Sequence, residues 1–194
     1  MIQRLTITFT TVFLLTACFS YGQTKTSVKE QAQKFITKLK SNGDYPIGGN
    51  DTLIDLNGDN FKDVLVEYYG SAGTGLKNRI SVYLYDKSKK KFTTCKQLNS
   101  LANPTFYFTK KVVAGYYIAG SGGHATKLKW NGLKLDTLEY IDVDLSWQGN
   151  NLTCKLVAHD YTTRKTTSSL FDHVSLPKEY HYGDYKPLIK TNSR

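Results

Sequence analysis

A short run of oxygen-bearing side chains is the part of this sequence best suited to chemistry. Residues 55–63 read Asp-Leu-Asn-Gly-Asp-Asn-Phe-Lys-Asp. Three carboxylates in so short a run repel each other in water, and a hard cation with six to eight oxygen ligands removes that repulsion; Ca²⁺ accepts such a flexible set better than Mg²⁺ does. The predicted calcium ligands are the side chains of Asp55, Asn57, Asp59 and Asp63 and the backbone carbonyl of Phe61.

The run departs from an EF-hand loop at two positions. Asn60 stands where an EF-hand has Gly, but Asn tolerates the left-handed backbone conformation. Val66 stands where the bidentate Glu would be, and the flanking residues are typical of strands. An alternative reading is a turn without metal, because Asp, Asn and Gly form turns for purely local reasons.

The first 22 residues are predicted to be an export signal that is not part of the folded domain. A short basic region precedes an apolar stretch, residues 5–15, which is too short to span a bilayer. Residues 15–18 match a lipobox that would lipidate Cys18, and a second route is cleavage before Gln23. Either route exports the protein, to the periplasm, to the outer membrane as a lipoprotein, or to the medium.

Residues 23–194 are predicted to form a single domain, which is long enough to bury a hydrophobic core. One amphipathic helix is predicted over about residues 27–41. Ser27 and Glu30 have the spacing of a capping box, apolar residues then recur at helical spacing, and Gly43 is suited to end the helix.

The rest of the domain is predicted to be mainly β, because short alternating segments are separated by tight turns. This pattern indicates an antiparallel meander, and a sandwich, a partial barrel and a propeller-like stack all remain open. Asn131-Gly132 is the strongest hairpin signal. Predicted strands include residues 91–98, 133–138, 139–147 and 161–170, and an irregular, tyrosine-rich tail is expected from about residue 177.

Two cysteines, Cys95 and Cys154, remain in the predicted domain. In an oxidising compartment such an even pair favours a disulfide. The bond would close a loop of about sixty residues and stabilise the fold by about 4 kcal/mol. The alternative is a pair of separate, buried thiols.

The loop at 55–63 resembles the calcium loop of FG-GAP-type (VCBS-type) proteins, in which Asp-x-Asn/Asp-x-Asp spacing ending in Asp caps a β-hairpin. Roughly residues 50–145 also resemble a family of small bacterial envelope proteins with one such loop on a β-meander. The segments that carry this second likeness are residues 70–75, 82–92, 98–104, 120–123 and 128–132. Some relatives in that group inhibit lysozyme-like peptidoglycan hydrolases, so the resemblance implies a binding module.

Catalysis is not predicted. The four histidines are scattered and show no paired metal spacing. Ser121 lies in Ala-Gly-Ser-Gly-Gly, which lacks the first Gly of a nucleophile elbow. Asp142 and Asp144 share one face of a strand, an arrangement that is typical of a solvated surface.

The sequence therefore predicts an exported, calcium-binding, non-catalytic module of the cell envelope with a protein or glycan partner. The resemblance further implies that its partner is a peptidoglycan hydrolase, which it would inhibit. The alternatives are a polysaccharide-binding or adhesive surface module that uses exposed Tyr and Lys, and a cell-wall hydrolase. The lysine cluster at residues 87–91 is typical of a solvated turn that blunts edge pairing. The alternative reading, which the net charge of +10 also allows, is attraction to anionic envelope polymers or lipid head groups. Because the chain is predicted to be exported, nucleic acid is not an expected partner. A monomer is expected, with membrane attachment only through Cys18.

Overall fold

A computed structural model describes residues 27–71 and 76–186. The predicted export signal, with Cys18, and residues 72–75 of the glycine-rich loop lie outside the described residues. Within those ranges no helix is both long and apolar enough to cross a membrane. The described chain is mainly β, as predicted.

The helices and strands are as follows: α1 Val28–Asn42, β1 Asn50–Ile54, β2 Asp63–Ser71, β3 Leu76–Asp86, β4 Lys91–Thr94, α2 Lys96–Asn99, β5 Thr105–Tyr107, β6 Val112–Ala119, β7 Gly122–Asn131, β8 Lys134–Gln148, β9 Asn151–Asp160, β10 Lys165–Phe171 and a 3₁₀ turn Lys178–Tyr180.

Helix α1 has the caps that its sequence predicts. The hydroxyl of Ser27 accepts the backbone N–H of Glu30, and the Glu30 carboxylate accepts the backbone N–H of Ser27. The helix ends at Gly43, which adopts a left-handed φ of 77°. The buried face of α1 packs against the outer face of the first sheet, and this contact is formed by Ala32, Ile36, Leu39, Val64, Val66 and Tyr83.

The strands form two antiparallel sheets in which neighbours in sequence are neighbours in space. One sheet has the order β1-β2-β3-β4 and the other has the order β5-β6-β7-β8-β9-β10. The antiparallel meander predicted from the sequence is therefore confirmed. Such local connections need no crossover and close only short loops.

The two sheets pack face to face. The sequence left the arrangement of the meander open, and the structure shows that it is a stack of two sheets. Their shared core is apolar and draws on both sheets; its members include Leu65, Ile80, Val82, Leu98, Phe106, Val113, Leu128 and Trp130. Each is at most 5% exposed. Burial of apolar side chains from both sides stabilises the stack.

The tail covers the opposite face of the six-stranded sheet. Tyr180 is fully buried against Ala114, Ala125 and Ile141, and its hydroxyl donates to Glu139. The tail is therefore more ordered than the irregular segment that the sequence predicted. It continues to Tyr185, which exchanges backbone hydrogen bonds with Phe106 and donates its hydroxyl to the buried carboxylate of Glu67.

Four of the predicted strands are wrong in extent. The segment 91–98 is a strand only to Thr94, after which α2 begins. The segments 133–138 and 139–147 are one continuous strand, β8, with a bulge at Leu138 where the register with β7 shifts. The last strand begins at Lys165, because residues 161–164 form the turn that precedes it.

The predicted disulfide is also wrong. Cys95 and Cys154 are both buried free thiols. Cys95 belongs to the core between the two sheets, whereas Cys154 belongs to the core under the tail. The six-stranded sheet separates the two cores, so the second reading from the sequence, two separate thiols, is the correct one.

These thiols can be counted. In a chain carrying Cys18→Ser, Ellman's reagent without reductant is expected to label almost no thiol in the native protein and two per chain after unfolding in guanidinium. Burial excludes the reagent and raises the pKa of the Cys95 thiol, which lowers its thiolate fraction. Zero thiols after unfolding would contradict the assignment.

Candidate metal site

The candidate loop, residues 55–62, joins β1 to β2 and caps their hairpin. The two strands are in register up to the last pair, Ile54 opposite Asp63. Gly58 and Asn60 adopt left-handed φ values of 72° and 69°. These two residues tolerate that conformation better than most, and they allow the chain to curl tightly around its own side chains.

Asp55 organises the loop. Its Oδ1 accepts the backbone N–H groups of Gly58, at 2.8 Å, and Asp59, at 3.2 Å. Its Oδ2 accepts the backbone N–H of Asn60 at 2.9 Å. Three donors from the following turn thus converge on one carboxylate, in the manner of an Asx turn.

Asn57 and Asp59 are linked inside the same loop. The Asn57 amide Nδ2 donates to Asp59 Oδ2 at 3.0 Å, and Asn57 Oδ1 accepts the Asp59 N–H at 3.2 Å. Asp59 Oδ1 accepts the backbone N–H of Phe61 at 2.9 Å. Asn57 is only 4% exposed, so its amide faces the interior of the loop.

Asp63 is the buried member of the set, with no exposed surface. Its Oδ2 accepts the backbone N–H of Leu56 and its Oδ1 accepts that of Tyr85, both at 2.9 Å. Burial raises the pKa of Asp63 to about 7; the two N–H donors oppose this, and the charges of Asp59 and Asp55 add to it.

Phe61 fixes the outer side of the loop. Its ring lies 5.6 Å from the ring of Tyr85, and the Nζ of Lys87 lies 5.3 Å from its centroid. The ring therefore packs against β3 while the backbone of Phe61 remains in the loop.

The loop also contacts the second sheet, which the sequence analysis missed. Asn57 Nδ2 lies 3.4 Å from the carbonyl oxygen of Gly132, in the turn between β7 and β8. Lys111 Nζ donates to the carbonyl oxygen of Gly58 at 3.3 Å from the turn between β5 and β6. Both turns are visible in the sequence, but only the stacking of the sheets brings them to the loop.

The donor set fits a hard cation in its chemistry. Within residues 27–71 and 76–186, no Lys, Arg or His forms an ion pair with Asp55, Asp59 or Asp63. A carboxylate has about four lone-pair sites, so its backbone bonds leave acceptor capacity. Nowhere in these ranges, however, do three or more His, Cys, Asp or Glu side chains form a metal-binding group. The carboxylates of Asp55, Asp59 and Asp63 therefore share one loop but are not brought together as a set of three ligands.

The other residues considered for chemistry do not converge. Ser121 lies in the turn between β6 and β7, where its carbonyl accepts the N–H of Leu145. His173 forms an exposed pair with Asp172 at 2.6 Å, and His159 lies 3.5 Å from Asp142.

No protein-family model and no curated protein matches the chain. Among solved structures it is similar to a Xanthomonas type IV secretion system related protein, with 19% sequence identity and a TM-score of 0.45. The likeness covers 60% of this chain and 57% of that one, so the chain spans a little over half the length of that structure. A likeness of this size assigns neither a family nor a function.

The buried carboxylate predicts a pH dependence of the metal-free fold. With chelator present, the free energy of unfolding should decrease as pH rises from about 4 through about 7, because the folded chain holds a proton on Asp63 that the unfolded chain releases near its ordinary pKa of 3.8. The side chain that Asp63→Asn introduces cannot ionise. This variant should be less stable overall, but its free energy of unfolding should lack this decrease with pH.

Guanidinium unfolding of both proteins between pH 4.5 and 8, followed by circular dichroism, measures this difference. Titration of other groups is common to both proteins and cancels when one curve is subtracted from the other. Two parallel curves would contradict the assignment.

Proposed function

We propose that this chain is an exported, non-catalytic binding module of the cell envelope whose loop at 55–63 holds one Ca²⁺ ion. The ligands are the side chains of Asp55, Asn57, Asp59 and Asp63 and the carbonyl of Phe61. The observation that supports this is the fully buried Asp63 carboxylate, which faces the charges of Asp55 and Asp59 with no ion-pair partner in the described part of the chain. A divalent cation would offset that repulsion.

Calcium would act on the fold through the loop. Asp63 already joins the loop to β3 through the N–H groups of Leu56 and Tyr85, and Asn57 reaches Gly132 in a turn of the second sheet. An ion that orders the loop would therefore order the junction between the two sheets. Its role in this proposal is structural, and the partner is bound elsewhere.

Calorimetry with CaCl₂ on chelator-treated protein is expected to give one binding event. At a free calcium concentration ten times the Kd, linkage predicts about 1.4 kcal/mol of added stability. Asp59→Ala should lose both effects, because it removes a ligand. Asp172→Asn is the matched control, since Asp172 is 95% exposed and outside the loop.

Circular dichroism must show that Asp59→Ala is folded. The absence of both a binding heat and a rise in melting temperature in the wild-type chain would rule out the calcium site.

The non-catalytic part of the proposal rests on where the reactive residues lie. Ser121 is in a strand-to-strand turn, whereas a nucleophile elbow joins a strand to a helix. His159 and His173 pair with exposed Asp142 and Asp172, whose carboxylates are 55% and 95% exposed. Such pairs lack the buried, oriented third group of a catalytic triad.

For the partner, the resemblance stated above favours a lysozyme-like peptidoglycan hydrolase. A net charge of +10 repels a basic enzyme at long range, so the proposal specifies an acidic hydrolase. Its inhibition would follow from occlusion of the substrate cleft.

Capture from an envelope extract tests this choice. The immobilised chain is expected to retain a peptidoglycan hydrolase in calcium and to release it in chelator, because the loop loses its ordering ion. The Asp59→Ala chain serves as the calcium-insensitive control. Recovery of no hydrolase under either condition would argue against the inhibitor role.

A further inference from the structure

The face of the six-stranded sheet that packs on the four-stranded sheet is covered over only part of its length. Val113 and Leu128 are opposite each other on this face and lie in the shared core. Side chains alternate between faces along a strand, so Tyr117 and His124, which are also opposite each other, share this face further along. On β8 and β9 the same face carries Asp142, Tyr140 and His159.

These five residues, Tyr117, His124, Tyr140, Asp142 and His159, are called the aromatic platform here. His124 is exposed, and the side chains of Asp142 and His159 are 55% and 37% exposed. Tyr117 and Tyr140 are half-buried, so the platform is partly open to solvent beyond the edge of the shared core.

The rings of the platform form a row. The His124 and Tyr140 rings are stacked, with centroids 5.9 Å apart and planes inclined by 15°, and the Tyr117 ring follows 6.2 Å from His124. Gly123 allows the backbones of β6 and β7 to approach closely here, because a Cβ at this position would lie 1.9 Å from the carbonyl oxygen of Tyr117. Lys77 on β3 of the four-stranded sheet places its Nζ 5.5 Å from the Tyr117 ring centroid. The four-stranded sheet therefore lies next to this row of rings.

Polar groups line the end of the row at Tyr140. Asp142 Oδ2 lies 3.5 Å from His159 Nε2, and His159 Nδ1 lies 3.1 Å from the hydroxyl of Thr166. Burial raises the pKa of the Tyr140 hydroxyl, and the neighbouring Asp142 carboxylate raises it further. An acceptor, an imidazole and two hydroxyls therefore border the aromatic surface.

The charges around the platform balance, although the chain as a whole has a net charge of +10. Asp142 and Asp144 lie on this face, Lys155 is opposite Asp144 in the sheet, and Lys77 reaches over from the other sheet. Two acidic side chains and two lysines therefore lie around the platform. A polyanion gains nothing from such a surface, so the charge pattern favours an uncharged ligand.

We propose that the aromatic platform binds an uncharged glycan chain, whose pyranose rings stack on Tyr117, His124 and Tyr140 while hydroxyls bond to Asp142 and His159. A pyranose has apolar C–H faces and a polar rim. The negative face of an aromatic ring attracts the C–H groups, and a few placed polar groups orient the ligand. This proposal does not depend on calcium.

Titration of the purified, ¹⁵N-labelled chain tests it, with chitohexaose, cellohexaose and maltohexaose as neutral probes and hexagalacturonate as the anionic probe. Amide shifts map the site, and calorimetry gives the affinity. Tyr140→Val and His124→Ala should each weaken binding at least tenfold. The matched control is Tyr182→Val, because Tyr182 is 74% exposed and lies in the tail.

Support requires that a neutral hexasaccharide shifts amides of β6 to β9 in the wild-type chain and that only the platform variants lose affinity. The wild-type map decides the question even if a variant fails to fold. Shifts elsewhere, equal loss in Tyr182→Val, binding of hexagalacturonate alone, or no binding of any probe would overturn the proposal. Repeating the titration in chelator separates it from the calcium proposal, because glycan binding should persist there.

Discussion

The rest of the structure depends on one buried carboxylate. Asp63 stands at the first position of β2, and its two oxygens accept N–H groups from Leu56, in the loop after β1, and from Tyr85 on β3. A buried carboxyl group is costly unless it is hydrogen-bonded, and these two bonds join β2 to the loop and to β3. The loop that precedes Asp63 carries two more carboxylates, so the residue that joins these segments also lies close to the negative charges of Asp55 and Asp59.

The sequence predicted those parts of the fold that arise from local interactions. The caps of α1 depend on Ser27, Glu30 and Gly43, which lie within one turn of the helix ends, and the hairpin at Gly132 depends on turn chemistry. The bulge at Leu138 was missed, because it follows from pairing with β7. The burial of Tyr180 was missed because it also depends on contacts between distant parts of the chain: this residue packs on strands that precede it in the sequence by many residues.

For the candidate site, the sequence proposes the ligands and the structure adds their surroundings. Spacing alone selects Asp55, Asn57, Asp59 and Asp63, because all of them belong to one loop. The contact of that loop with Lys111 requires the sheets to be stacked. The aromatic platform was likewise out of reach: its tyrosines look like ordinary strand residues, and only the register shows that His124 lies between Tyr117 and Tyr140.

The position of Tyr185 sets an order on the formation of this fold. It follows all ten described strands in the chain, yet its hydroxyl bonds to Glu67 on β2, and its ring packs beside Phe106 against the core that the sheets share. Without this residue, Glu67 loses the hydrogen bond from the Tyr185 hydroxyl, and β5 loses its two backbone bonds to Tyr185. These contacts can therefore form only after every described strand has been synthesised.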